Sequence, residues 1–222
     1  MKVFTLPPEP LGLVFDLDST LYTHEAYARF QTEVLVRRLA RERGEAEERV
    51  AALVKEVRDR RRRETGAETS LGRVFVELGV PIETSVRWRE ELIVPADWLE
   101  ADPRLHDVLA ALGERYAIAL LTNNPRSVGE ASLAALGLRD LFGQVVGLDD
   151  SLCSKPDPAP FRLVFSRLGL DASNCVSIGD RMDVDIEPAL ALGAGGILVE
   201  GVLEVYKLLD FLGKGLDRRY SQ

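Results

Sequence analysis

The sequence predicts an α/β protein, with a three-layer core built on a parallel sheet and an all-helical segment inserted into it. Three observations carry that prediction. From about residue 101 onward, short apolar runs alternate with helical periodicity, the pattern of βαβ units with helices on both faces of a sheet. An isolated apolar run, Leu11 to Phe15, stands far upstream and reads as a further strand of the same sheet. Between the two, residues 23–100 show helical periodicity and almost no strand signal. The expected domains are therefore residues 1–22 plus 101–222 for the α/β core and 23–100 for the helical segment.

The elements follow in order. Residues 1–22 supply one strand, Leu11 to Phe15, ending in Asp16. Tyr27, Phe30 and Val34 then form a helical stripe; Val50, Leu53, Val54 and Val57 form a longer one, as do Leu71, Val74, Phe75 and Leu78. All repeat at the three- and four-residue spacing of one helix face. Gly44, Thr65-Gly66 and Gly79-Val80-Pro81 punctuate the segment into three or four helices. After Asp102-Pro103 come a helix over Leu105 to Leu112, a strand over Tyr116 to Leu121, and a helix opened by Pro125 with Val128 and Leu136 inward. A short strand over Gln144 to Leu148 precedes a helix marked by Phe161, Val164, Phe165 and Leu168. Cys175 to Ile178 is a strand ending in Gly179-Asp180; Ile186, Ala189 and Leu190 mark a helix, Gly196 to Val199 a strand, and Val202 to Leu212 a terminal helix.

Composition bounds the function. The chain has 222 residues, 46% of them hydrophobic, enough for a sizeable core. A net charge of −8 argues against general nucleic-acid binding. Cys153 and Cys175 make no CxxC pair and no disulfide framework, which fits a reducing compartment. Met1 to Pro10 lacks the apolar stretch of a signal peptide, and no apolar run reaches membrane-spanning length. The expectation is a cytoplasmic protein, a monomer or homodimer, with no membrane partner.

Chemistry-bearing residues gather at the ends of the expected strands. The first ends in Asp16 and Asp18, the second in Thr122-Asn123-Asn124. Lys155-Pro156 follows the third, and the fourth ends in Asp180, with Asp183 and Asp185 beyond it. In a parallel sheet these ends share one edge, where open α/β folds place their ligands. Two carboxylates as close as Asp16 and Asp18 imply a bound cation, a protonated acid, or both. An oxygen-rich donor set suits Mg²⁺ rather than zinc, while a hydroxyl and an ammonium suit phosphate oxygens.

In these motifs the chain resembles the haloacid dehalogenase superfamily. Asp16-Leu17-Asp18-Ser19-Thr20 is similar to its DxDxT motif, and Thr122 after Ala117 to Leu121 to its second. Lys155 is similar to its third motif, and Gly179-Asp180-Arg181-Met182-Asp183-Val184-Asp185 to its fourth. The resemblance implies a Rossmann-like core and reads the helical insertion as a cap of the C1 type. It implies Asp16 as a nucleophile forming an aspartyl-phosphate and Asp18 as general acid and base. Thr122, Asn123 and Lys155 would bind phosphate, and Mg²⁺ would sit on Asp16, the Asp18 carbonyl and Asp180, with Asp185 in or near the shell. An Asp at position 18 favours an alcohol leaving group, hence phosphatase action on a small phosphate ester, over dehalogenation, in which a halide needs no proton. A sugar phosphomutase, a dehalogenase and a catalytically silent binding protein are the alternatives.

Other conspicuous residues take plainer readings. The run Arg60 to Arg63 is expected to be a solvated helix face, and His24 structural or exposed. Cys153 reads as a small filler near the site; Trp88 and Trp98 as packing within the helices and at the hinge. Asp183 reads as a helix N-terminal charge or a support to the site. The loop Glu64 to Ser70, with Arg73 beyond it, is expected to face the active site.

Overall fold

In the computed structural model, which describes residues 1–66 and 69–217 with side chains through residue 213, the apolar runs become strands buried on both faces. Strands β1 (Lys2–Thr5), β2 (Gly12–Phe15), β3 (Ala117–Leu121), β4 (Gln144–Val146), β5 (Cys175–Gly179) and β6 (Gly195–Leu198) form one sheet in the order β1-β6-β5-β2-β3-β4. The central strand β2 pairs in parallel with β3 and β5, and the pairs β3–β4 and β5–β6 are also parallel. Side-chain alternation sorts each strand between two layers. Leu13, Phe15, Leu120 and Ile178 join one hydrophobic cluster, and Val14, Ala119, Leu121 and Cys175 join another.

Helices cover both faces. On one side lie α5 (Pro103–Gly113), α6 (Arg126–Ala135) and α11 (Leu208–Asp217), which contribute Leu105, Leu109, Val128 and Leu212 to the first cluster. On the other, α8 (Pro158–Leu168) contributes Phe161, Val164 and Phe165, and α9 (Glu187–Ala191) contributes Ala189. Short helices α7 (Leu148–Ser151) and α10 (Val202–Val205) complete the connections.

Between β2 and α5 the chain runs through α1 (Glu25–Arg43), α2 (Glu47–Thr65), α3 (Leu71–Glu77) and α4 (Ile82–Leu92). Their stripes Val34, Val50, Val54, Val57, Val74 and Phe75 are buried in the same cluster that reaches the sheet. His24 is structural: its Nδ1 accepts the Tyr27 amide at 3.2 Å and caps α1. Trp98 stacks on Tyr27, with ring centres 5.6 Å apart, where the segment rejoins the core. Trp88 is buried and meets the edge of Phe75. Arg60 and Arg61 lie on the surface and pair with Glu64 and Glu77.

Two elements differ from expectation. Residues 1–22 supply two strands, and β1 runs antiparallel to β6 at the sheet edge, so the sheet is mixed. Its pairing partners lie nearly the whole chain away in sequence, and its burial does not alternate. Gly195 lets it dock, since a Cβ there would stand 2.7 Å from the Thr5 carbonyl oxygen. The expected terminal helix is broken in two, Val202–Val205 and Leu208–Asp217.

Candidate active site

Asp16, Thr122, Lys155 and Asp180 arrive at one edge because each follows a strand of the parallel set or its connection. Lys155 is 1% exposed, yet fully engaged. Its ammonium donates to Asp16 Oδ1 at 2.6 Å, Asp185 Oδ1 at 2.6 Å and the Leu121 carbonyl at 2.9 Å. Burial works against its charge, but Asp16 and Asp185 outweigh that and raise its pKa. Three protons on three protein acceptors make Lys155 the counter-ion of the carboxylates, the neutralising role toward Asp16 that the resemblance also implies.

Asp185 is buried on a π-helical turn, Met182–Ile186, that follows β5. Its Oδ2 accepts the Arg181 amide at 3.1 Å, and Ser177 Oγ donates to its carbonyl at 2.7 Å. A glycine must precede it: a Cβ on Gly179 would lie 2.4 Å from the Asp185 Cβ. Asp16, Asp180 and Asp185 each offer an oxygen within 4.8 Å of the others, whereas Asp183 is not part of that group. Asp180 Oδ1 is buried with no hydrogen-bond donor; Arg181 Nε stands 3.8 Å from it. Burial, then the charges of Asp16 and Asp185, push the Asp180 carboxyl up to about 7. An all-oxygen cluster with an orphaned buried acceptor and an excess of negative charge fits a hard divalent cation.

Asp18 stands apart from that cluster. Tyr22 OH and Gln31 Nε2 donate to its Oδ1, the latter at 2.8 Å, and Asn124 Nδ2 donates to its Oδ2 at 3.1 Å. Burial first, then the negative charge of Asp16, raises its pKa. Ser19, beside it, adopts a left-handed backbone with φ of 62°, a strained state for a residue other than glycine.

The second motif is structural as well as chemical. Thr122 is buried, and its Oγ1 accepts the Asn124 amide at 3.1 Å, leaving its hydroxyl proton available to a ligand. Asn123 spends both ends of its amide on the Lys155 backbone: Oδ1 accepts from the Lys155 amide at 2.8 Å, and Nδ2 donates to its carbonyl at 3.3 Å. Its side chain thereby holds the lysine loop in place.

A crevice of about 290 Å³ lies over this edge. Its floor includes Asp18, Asn123, Asn124 and Asp180; its roof includes Gln31 of α1 and Arg89 of α4. From the loop expected to face the site, Ser70 does so, and its hydroxyl lies 2.7 Å from that of Ser154. Ala67 and Glu68 lie outside the described residues. Glu64 pairs with arginines on the surface. Arg73 turns instead to a neighbouring groove with Cys153, 3.6 Å from Asp157. Gln31, Arg89 and Tyr22 went unread in the sequence; only Asn124, adjacent to the second motif, carried a local signal.

A mixed α/β sheet with an acidic cluster and a buried lysine on its carboxyl edge defines an enzyme of the open-sheet class. The chain belongs to the haloacid dehalogenase-like hydrolase family, whose model matches residues 11–193. Among curated relatives, the phosphoglycolate phosphatase of Pectobacterium atrosepticum is 37% identical over 95 residues, covering 42% of this chain and 40% of that protein. That of Salmonella typhi is 30% identical over 135 residues, covering 58% of this chain and 53% of that protein. The chain thus matches about half the length of these relatives, or less. Among solved structures, a HAD phosphatase from Thermococcus onnurineus superposes with a TM-score of 0.63 at 22% identity, over 91% of this chain and 98% of that one. A 2-haloacid dehalogenase from Pseudomonas syringae pv. Tomato DC3000 gives a TM-score of 0.54 at 21% identity, over 92% and 99%. These likenesses establish the fold, which a phosphatase and a dehalogenase share. Among the described residues, no helix is long and apolar enough to cross a membrane.

Proposed function

We propose that the protein is a phosphatase that hydrolyses a small phosphate monoester through an aspartyl-phosphate on Asp16. The observation that carries this reading is the division between two neighbouring carboxyls. Asp16 is ion-paired with Lys155, while Asp18 has a raised pKa and donors from three side chains. One faces a buried ammonium and is placed to attack, while the other is disposed to carry a proton.

The Asp16 carboxylate attacks phosphorus and the P–O bond to the alcohol breaks. Asp18 gives its proton to the departing oxygen, then removes one from the water that attacks the acyl phosphate. The P–O bond to Asp16 breaks and inorganic phosphate leaves. The hydroxyl of Thr122 can donate to a phosphoryl oxygen, and Lys155 balances the Asp16 charge. Asp16, Asp180, Asp185 and the Asp18 carbonyl would hold Mg²⁺, which supplies neutralisation of the repulsion between carboxylate and phosphate.

The relatives' named activity and the alcohol-directed acid at position 18 both favour phosphate esters over haloacids. A panel of phosphate esters assayed with Mg²⁺, with EDTA as control, tests the proposal. Phosphate release is expected only with the metal present. Asp18→Asn should cost alkyl esters ~10²–10⁴-fold and a nitrophenyl ester less, since nitrophenolate leaves without a proton. Release of halide from 2-haloacids, with no phosphate from any ester, would replace this reading.

A further inference from the structure

Arg89 is the buried charge that the chemistry above does not use. It is 4% exposed on α4 and lines the same crevice as Asp18, Asn124 and Asp180. Its Nη1 donates to the Ser85 carbonyl at 3.1 Å and to the Ser85 hydroxyl. Among the described residues, Nε and Nη2 have no protein acceptor and no carboxylate lies within ion-pair distance of the guanidinium. Burial lowers its pKa to about 10, with only a distant contribution from Asp18 in the other direction. A buried guanidinium normally has a carboxylate against it, because an unpaired buried charge is costly.

The unused donors have a shape. Nε–H and the neighbouring Nη2–H lie parallel on one edge of the guanidinium, the edge that receives a carboxylate in a two-bond fork. Ser85 holds the opposite nitrogen and so fixes the plane. The other guanidinium paired at the floor, Arg181, is already between Asp180 and Asp185. The crevice of about 290 Å³ is at the small end for ligand sites.

We propose that Arg89 receives a carboxylate of the substrate, which makes the preferred substrates small carboxylic acids bearing a phosphate ester. The phosphate half of this statement rests on the phosphatase reading; the carboxylate half rests on Arg89 alone. A role as a remote counter-ion to Asp18 is the competing account. It predicts loss on every ester alike and a shifted rate–pH profile.

The test compares 2-phosphoglycolate with ethyl phosphate, esters of the same carbon count with and without the carboxylate. Wild-type kcat/KM should favour 2-phosphoglycolate by ~30-fold or more, as a charged two-bond contact implies. Arg89→Met should bring that ratio to within about 3-fold of unity, chiefly through KM, and Arg89→Lys should fall between, keeping the charge without the fork. No preference in the wild type, or equal losses on both esters, overturns the proposal. If Arg89→Met fails to fold, the Arg89→Lys ratio decides: a fall of about 5-fold or more supports the fork, an unchanged ratio overturns it. If the wild type hydrolyses neither of these esters nor any other of the panel, the phosphatase reading fails. Calorimetric titration with 2-phosphoglycolate then separates the two claims. Binding weakened ~30-fold in Arg89→Met sustains the carboxylate site; unchanged binding, or none in the wild type, overturns it.

Discussion

The floor and the roof of the crevice solve the problem of buried charge in opposite ways. On the floor, Lys155 is enclosed by Asp16, Asp185 and the Leu121 carbonyl, so the cation and its partners are satisfied within the protein. On the roof, Arg89 is also buried but, among the described residues, bonds only to Ser85. A self-satisfied network holds a fixed geometry before any ligand arrives, as reaction chemistry requires. An unsatisfied donor waits for a partner from outside, as selection among ligands requires. On the proposed reading, the chemistry and the choice of substrate fall on different parts of the chain.

The largest break in that contrast should come from the floor. Asp16→Asn is expected to abolish phosphate release, by on the order of 10⁴-fold or more, while circular dichroism shows the fold intact. Wild-type rates would remove Asp16 from the role of nucleophile. Lys155→Met leaves Asp16 and Asp185 buried without their cation. Urea unfolding in EDTA should then show a loss of about 3–5 kcal/mol, and a change under about 1 kcal/mol would mean that the floor does not depend on its own counter-ion.

Asp180 gives a smaller effect with a definite sign. Its folded pKa, about 7, lies above the ordinary value of 3.8, so the folded state keeps a proton that the unfolded chain releases. Without metal, the stability from this group is complete below pH about 4 and is lost as pH rises through about 7. Asp180→Asn should therefore stabilise the metal-free protein at pH 8 by ~1–3 kcal/mol, and added Mg²⁺ should stabilise the wild type more than the variant. Equal melting curves in EDTA across this range would argue against the raised carboxyl.

The smallest effect belongs to the contact that joins roof to floor. Gln31 donates to Asp18 and accepts from Asn124 at 3.0 Å. Gln31→Leu removes both bonds and the one donated to Tyr22 OH at 3.3 Å, and phosphate-ester turnover should fall only ~3–10-fold. Because the Gln31 bond lowers the Asp18 pKa, its loss should move the rate–pH profile upward. A profile unchanged in position would detach Gln31 from Asp18.

Much of the floor was legible from the chain itself. Asp16 and Asp180 stand at the ends of apolar runs, and a parallel sheet sends such ends to one edge whatever the details of packing. Asp185 was legible only through the resemblance of Gly179 to Asp185 to the family's fourth motif, and the π-helical turn that carries it was not legible at all. The roles of Asn123 and Lys155 were only partly so. Their residue types suit phosphate, but the Asn123 clamp on the Lys155 backbone and the three acceptors around the ammonium arise from loops brought together across 32 and 139 residues. Arg73 shows the converse: a cation near an expected loop, pointed by its helix toward Asp157 instead of the crevice.

By itself, the sequence determined the α/β class, the helical run between the first two parallel strands, and the carboxylates Asp16 and Asp180 at the strand ends. Each depends on local periodicity or on a position at a strand end, and those are properties of a few adjacent residues. Only the tertiary structure decided that β1 closes the sheet in antiparallel, that Gln31 reaches Asp18, and that Arg89 is buried with no carboxylate of the described residues against it. A polar residue on a helix looks the same in sequence whether it meets water or a cavity. Its partner, or the lack of one, is set by how distant segments pack.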